Sequence, residues 1–251
     1  TADVAVVTNS CRFNAADSAY LNQTFSGGGD TKKWTYSVWV KRGRLTHDTV
    51  QSFLNAQNGV FYTHLRMEGT DALDSIDFRE WGGSGSGEIV AKLITTRKFR
   101  DPSAWYHFVF VYDSANATAG NRQRIYVNNE ELSVFSTETQ VSQDTTSVMM
   151  GAFATYVGSK GTGETWDGYM AESVMIDGQA LTPSSFGEYD DDSPTIWKPK
   201  DVSGLTFGTN GWYLDFEDSS DLGKDVSGNS NDFTSNNLAA TDQATDTPVN
   251  N

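Results

Sequence analysis

Apolar and polar positions alternate along most of this chain with a period near two, and almost nowhere with the period of a helix. The clearest stretch is 105–113 (WYHFVFVYD), nearly continuous in apolar residues, rich in aromatic and β-branched side chains and free of Gly and Pro. It reads as a strand covered on both faces in the middle of a sheet. A helix is the competing reading, but the run is short and Asp101 with Pro102 stops a helix before it. After an Ala-, Asn- and Gly-rich loop at 114–121, residues 124–127 (RIYV) supply a second strand. Asn128 and Asn129 then turn the chain back, because Asn tolerates the positive φ of a tight hairpin.

The same alternation predicts a strand over 34–40, with Trp34, Tyr36, Val38 and Val40 on one face and Thr35, Ser37 and Trp39 on the other; 41–43 end it. Asn58 with Gly59 marks a hairpin between strands at 51–54 and 60–66. Further strands are expected at 11–13, 20–25, 75–79, 88–94, 148–153 and 168–176. Residues 26–30 read as a turn, 82–87 as a flexible Gly/Ser loop and 158–167 as an irregular one. A short helix is expected at 182–186, where Thr182 can cap and Pro183 suits the first turn. Many short strands joined by Gly/Asn turns give an all-β sandwich. From Asp190 the composition shifts to Asp, Ser, Asn, Gly and Thr, so a sandwich over 1–190 is expected to carry a polar extension over 191–251. Its last part, 227–251, reads as an arm ordered by packing on the sandwich or by a partner.

The 251 residues carry 18 Lys and Arg against 33 Asp and Glu, a formal charge of −15. Phosphate backbones need cations to displace counterions, so nucleic acid is an unsuitable partner, and an anionic membrane surface repels the chain. Such acidity favours solubility and divalent cations at clustered carboxylates. One cysteine, Cys11, excludes an internal disulfide and a Cys-built metal cage and reads as a small buried hydrophobe. No run is long and apolar enough to span a bilayer, so no membrane insertion is expected. Residues 1–7 lack the basic and apolar segments of a signal peptide, which a processed chain would have lost. The abrupt ending at 247–251 is taken to mean that the gene product continues.

The order of motifs 34–41 (WTYSVWVK), 105–113, 125–128 (IYVN), 167–172 (DGYMAE) and 178–183 (GQALTP) resembles the laminin-G-like, concanavalin A-like jelly rolls. The wording of 12–14 (RFN), 17–20 (DSAY), 99–106 (FRDPSAWY), 197–200 (WKPK) and 236–242 (NNLAATD) is similar to bacteriophage proteins, common in marine phages, that carry this domain. The resemblance implies a two-sheet antiparallel jelly-roll sandwich of the lectin/glucanase type with an extended C-terminal arm. It also implies a non-enzymatic virion structural protein, a capsid decoration or tail-fibre component on the particle surface that contributes to host attachment. Its partners would be other virion proteins, host-surface glycans and further copies of itself, a trimer being the usual state. The alternative is an extracellular, lectin-like adhesion module that binds glycans with the help of Ca²⁺; a polysaccharide hydrolase ranks third. Fold alone does not decide between them.

Glucanases of this fold alternate carboxylates along one central strand, so that one can act as acid and another as nucleophile. The nearest match, 188–192 (EYDDD), falls outside any predicted strand and reads as a solvated acidic loop, while Asp215 and Glu217 lack a third carboxylate. His107 reads as a satisfied core histidine, and neither His47 nor His64 has a nucleophile motif nearby. For calcium, Asp221, Asp225, Asn229 and Asp232 pack oxygen ligands around glycines without EF-hand spacing, and Asp190 with Asp192 forms a second candidate. The competing reading is a series of Asx turns. For glycans, which stack on exposed aromatic rings, Trp81, Tyr156 and Trp166 are the candidates; the competing reading has them capping the core. The sequons at Asn22 and Asn116 are read as chance.

Overall fold

The computed structural model describes residues 7–45, 49–69, 72–82, 89–161 and 163–249; the expected loop at 82–87 falls, after Gly82, outside them, as does His47. In chain order the strands are β1 (Ser10–Phe13), β2 (Tyr20–Thr24), β3 (Lys33–Arg42), β4 (Gln51–Asn58), β5 (Phe61–Met67), β6 (Ile76–Trp81), β7 (Ile89–Thr95), β8 (Trp105–Asp113) and β9 (Gln123–Val127). They continue with β10 (Glu130–Glu131), β11 (Phe135–Thr139), β12 (Ala154–Val157), β13 (Gly168–Asp177), β14 (Gly187–Tyr189), β15 (Trp197–Pro199), β16 (Trp212–Leu214), β17 (Thr234–Asn236) and β18 (Gln243–Ala244). The first sheet has the order β10-β9-β8-β3-β13-β1-β18, with β16 also paired to β13. The second runs β11-β7-β6-β5-β4-β12-β2-β17. Every pairing is antiparallel, and the two sheets form a sandwich. Among the described residues no helix is long and apolar enough to cross a membrane.

Stretch 105–113 is β8, paired on one side with β3 and on the other with β9, as its two-sided apolar character predicts. Asn128 (φ 46°) and Asn129 (φ 70°) take the left-handed conformation that turns β9 into β10, and Gly59 (φ +61°) does the same between β4 and β5. Strand β3 places Trp34, Tyr36, Val38 and Val40 in the core and Trp39 on the opposite face. Inside, Trp34 stacks on Tyr112 at 5.4 Å and 5°, and Phe53, Phe78, Phe108 and Phe110 fill the space between the sheets. Burial of aromatic surface of this size supplies the main driving force. Cys11 belongs to this core.

Two expectations are corrected. Residues 148–153 form turns rather than a strand: Met150 has φ 68°, Met149 and Met150 plug the core, and the strand begins only at Ala154. The short helix is a single 3₁₀ turn at Pro183–Ser185, and the Thr182 side chain makes no capping bond. In the polar extension, a few apolar anchors (Trp212, Phe216, Leu222 and Phe233) are buried, and β16, β18 and β17 join β13, β1 and β2. Trp197 caps the outer face of the first sheet. Its indole N–H donates to His107 Nδ1 at 2.9 Å, while His107 Nε2 meets Ser37 Oγ at 2.8 Å and the ring stacks on Trp39 at 4.6 Å. His107 is therefore a satisfied, buried histidine, and burial pushes its pKa down to about 3.

Candidate functional site

The outer face of the second sheet is set by period two. Strand β5 sends Thr63, Leu65 and Met67 inward and Tyr62, His64 and Arg66 outward; β6 sends Phe78 and Glu80 inward and Asp77, Arg79 and Trp81 outward. The register brings Trp81 opposite Tyr62 and Tyr62 opposite Gln57. In the next row Lys92, Arg79, His64, Asn55, Tyr156 and Asn22 stand side by side across β7, β6, β5, β4, β12 and β2. The result is a strip of aromatic, amide and charged side chains.

Trp81 and Tyr62 are half-buried and lie parallel, 5.6 Å apart at 4°. The Lys160 ammonium sits 4.7 Å from the Tyr62 ring centroid, a cation–π contact delivered by the 158–167 loop. Trp81 also borders a cavity of about 300 Å³, together with Val90, Val148, Asp144, Thr145 and Thr146. With Glu80 also in the lining, an indole wall, two aliphatic side chains, two hydroxyls and two carboxylates are a mixture that can grip a sugar ring by stacking and by hydrogen bonds to its hydroxyls.

Beside the aromatic pair, on the same face, lies a buried ionic cluster. Arg66 donates to Asp77 at 3.0 Å and pairs with Glu68; Arg79 donates to Glu68 at 2.9 Å and pairs with Asp77. Burial, then a hydrogen bond with Asp77, holds the Glu68 pKa above the usual carboxylate range. His64 meets Ser52 Oγ at 2.9 Å and lies 3.7 Å from the Glu164 carboxylate. Burial, with Arg66, Lys160 and Arg79 adding to it, pushes its pKa well down, so the ring is neutral at pH 7. Each guanidinium has carboxylate partners within the sheet, so the charges beside Trp81 compensate one another.

Of the glycan candidates, Trp81 and Tyr156 share this face, separated by β5 and β4, and Tyr156 is half-buried against Tyr20 at 5.9 Å. The expectation for Trp166 does not hold: it is 0% exposed, packed on Phe53 at 4.9 Å, and has no ring face for a ligand. At both places named for calcium, most of the side chains are engaged within the chain. Asp225 accepts from the backbone N–H of Tyr213, Ser227 and Asn231 and from the Ser227 hydroxyl, and Asp232 accepts from the Asp225 N–H. Asn229 spends its amide on the Gly208 and Gly211 carbonyls, and Asp221 is exposed at the edge. Asp190 accepts from the N–H groups of Asp192 and Ser193 and pairs with Lys198 at 3.2 Å, leaving Asp192 exposed. These are Asx turns, and among the described residues no three acidic, His or Cys side chains converge on a point that could hold an ion.

Sequence reasoning missed Tyr62, Arg66, Arg79 and Lys92. Their signal was the alternation itself: polar residues at 62, 64, 66 and 68 facing charged ones at 77 and 79 across a hairpin.

Residues 14–185 match the concanavalin A-like lectin/glucanases superfamily in its laminin-G-type form. The chain belongs to this superfamily. Among solved structures it is similar to a putative carbohydrate binding protein from Bacteroides ovatus, with 18% identity, a TM-score of 0.59, and 95% of this chain and 60% of that one covered. It is also similar to the SAP-like pentraxin of Limulus polyphemus (14% identity, TM-score 0.48, 71% and 80% covered). A third likeness is to a tailspike protein of a bacteriophage (12% identity, TM-score 0.43, 66% and 25% covered). The first of these likenesses bears on the fold alone, and the other two are too distant to carry an argument. No curated protein matches the sequence. In this superfamily chain the face just described is the outer surface of one of the two jelly-roll sheets.

Proposed function

We propose that the chain is a non-catalytic carbohydrate-binding module that holds a glycan on the outer face of its second sheet, against Trp81 and Tyr62. The observation that carries this reading is the parallel Trp81–Tyr62 pair, with Trp81 bordering a cavity of about 300 Å³ whose walls mix apolar carbons, hydroxyls and the carboxylates of Glu80 and Asp144. Membership of the concanavalin A-like lectin/glucanases superfamily agrees with it. The test is binding of the full chain to a broad glycan panel, repeated with Trp81→Ala. Stacking of a base on an aromatic side chain is worth about 1–3 kcal/mol, and with a similar worth for a sugar ring a bound glycan should weaken by about fivefold or more while the melting temperature changes little. A panel with no binder, or a binder indifferent to Trp81→Ala, refutes the reading.

The setting we propose is the surface of a phage particle, where the module contributes to host attachment alongside other virion proteins. The motifs at 12–14, 99–106, 197–200 and 236–242 favour it. Mass spectrometry of purified particles for the tryptic peptide 101–122 tests it: recovery in amounts comparable with other particle proteins supports a virion component, and absence from particles refutes it.

A further inference from the structure

Beyond β6 the same outer face continues over β7 and β11, and there its character changes. A cavity of about 510 Å³ is lined by Lys92, Lys98, Thr95, Thr96, Ser136 and Thr137, with Ala72 and Ile94. None of its described lining residues is acidic, in a chain whose formal charge is −15. Lys92 is half-buried and forms no hydrogen bond or ion pair among the described residues. Lys98 donates only to a neutral group, Ser75 Oγ, at 2.9 Å. On the same sheet Arg66 and Arg79 are neutralised by Glu68 and Asp77, and elsewhere Arg42 is neutralised by Asp74 and Lys41 by Asp246. Nor does Lys92 guard a sheet edge, since β11 covers β7. The Lys92 stem is partly covered by the sheet while its ammonium stays open, so an anion entering the cavity meets a cation that no carboxylate of the described residues engages.

Position says what that anion is attached to. Lys92 is the cross-strand partner of Arg79, which lies two residues from Trp81 on the same face of β6. Adjacent strands are about 4.8 Å apart and residues i and i+2 about 6.8 Å, so the Trp81 and Lys92 backbones are about 8 Å apart, within the span of a short oligosaccharide. The overall charge limits the anion in turn. A densely charged polymer is repelled by the chain as a whole, whereas an isolated carboxylate gains the local pair of lysines and suffers little from the long-range field.

We infer, resting on the glycan reading, that the ligand is an acidic glycan with isolated carboxylates of the uronate type, whose carboxylate sits between Lys92 and Lys98 while a neighbouring ring lies on Trp81. The hydroxyls of Thr137 and Ser136 face the same space. Calorimetric titration of the full chain with a panel of uronate oligosaccharides, each paired with its carboxyl-reduced form, tests this. Charge-assisted hydrogen bonds predict that one native form binds about tenfold or more tighter than its reduced form. Lys92→Gln/Lys98→Gln should bring the native form down to the affinity of the reduced one and leave the reduced form unchanged; Lys92→Gln alone should give part of the loss should the double variant fold poorly. Native and reduced forms binding alike, with Trp81→Ala still damaging, overturns the acidic assignment and leaves the module reading standing. A neutral or densely sulfated glycan that binds tighter than every uronate also overturns it. Binding by nothing in the panel overturns both.

Discussion

Glu172 gives the sharpest quantitative test of the structure. The pairing of β13 with β3 shifts register between Ala171 and Val174, and Glu172 occupies the bulge with φ 51°. It is 5% exposed and accepts a hydrogen bond from the Tyr213 hydroxyl at 2.7 Å. Burial is the main cause that lifts its pKa from 4.5 to about 8, and the charges of Asp215, Glu217 and Asp201 add to it against the Tyr213 bond. The folded chain thus holds a proton on Glu172 at pH 7 that the unfolded chain releases above pH 4.5. This contribution to stability is fully present below pH 4.5 and is lost as pH rises toward 8. The slope is about 1.4 kcal/mol per pH unit, and over the interval from 4.5 to about 8 the loss totals about 5 kcal/mol. Glu172→Gln keeps an acceptor for Tyr213 and has nothing to titrate. Urea unfolding of both proteins across pH 4.5–8 should show the stability of the variant relative to the wild type rising by about 1.4 kcal/mol per unit, and levelling off above pH 8. A difference that stays flat with pH would mean that Glu172 is ionised in the fold and would refute the buried, protonated carboxyl.

His107 titrates with the opposite sign. Its pKa falls from 6.5 to about 3, so the wild type loses stability as pH falls below 6.5, and in urea titrations the deficit of His107→Gln should shrink by about 2 kcal/mol between pH 6.5 and 5. Trp166→Ala should cost about 3–5 kcal/mol of unfolding free energy, as for a large core aromatic, against about 1 kcal/mol for Trp81→Ala, which loses only half-buried stacking. Asp225→Ala should cost about 2–3 kcal/mol by orphaning the N–H groups of Tyr213 and Asn231, and neither calcium nor a chelator should shift the wild-type melting temperature; a calcium-dependent shift would refute the turn assignment.

The central strands were legible because their own residues decide them. Nothing but a two-sided strand suits 105–113, and the alternation over 34–40 divides the faces as found. The extension was harder. Its composition is polar on average, yet Trp212 and Phe233, which pack on each other at 5.0 Å, bind it to the core. Short strands such as β17 and β18 have no periodicity of their own; β2 and β1 supply the partner edges that make them strands. Residues 148–153 failed for the converse reason, since apolar residues there serve as a plug beside a turn and pair with nothing.

The site divides in the same way. An aromatic beside a glycine is visible in a sequence, so Trp81 could be named, and so could Trp166, because composition does not distinguish a ring that lines a surface from one that closes a core. The charged residues of β5 and β6 mean little until register sets Arg66 against Asp77 and Arg79 against His64. Once set, the charges cancel in pairs, and cancellation changes what the leftovers mean. In a chain of −15, cations drawn into a sheet are expected to find carboxylates, and the four guanidinium–carboxylate contacts among Arg66, Arg79, Glu68 and Asp77 follow that rule. Lys92, one strand away on the same face, has no such partner among the described residues. The ion pairs beside Trp81 compensate one another, and the lysine they leave out is the group on which the proposed acidic ligand depends.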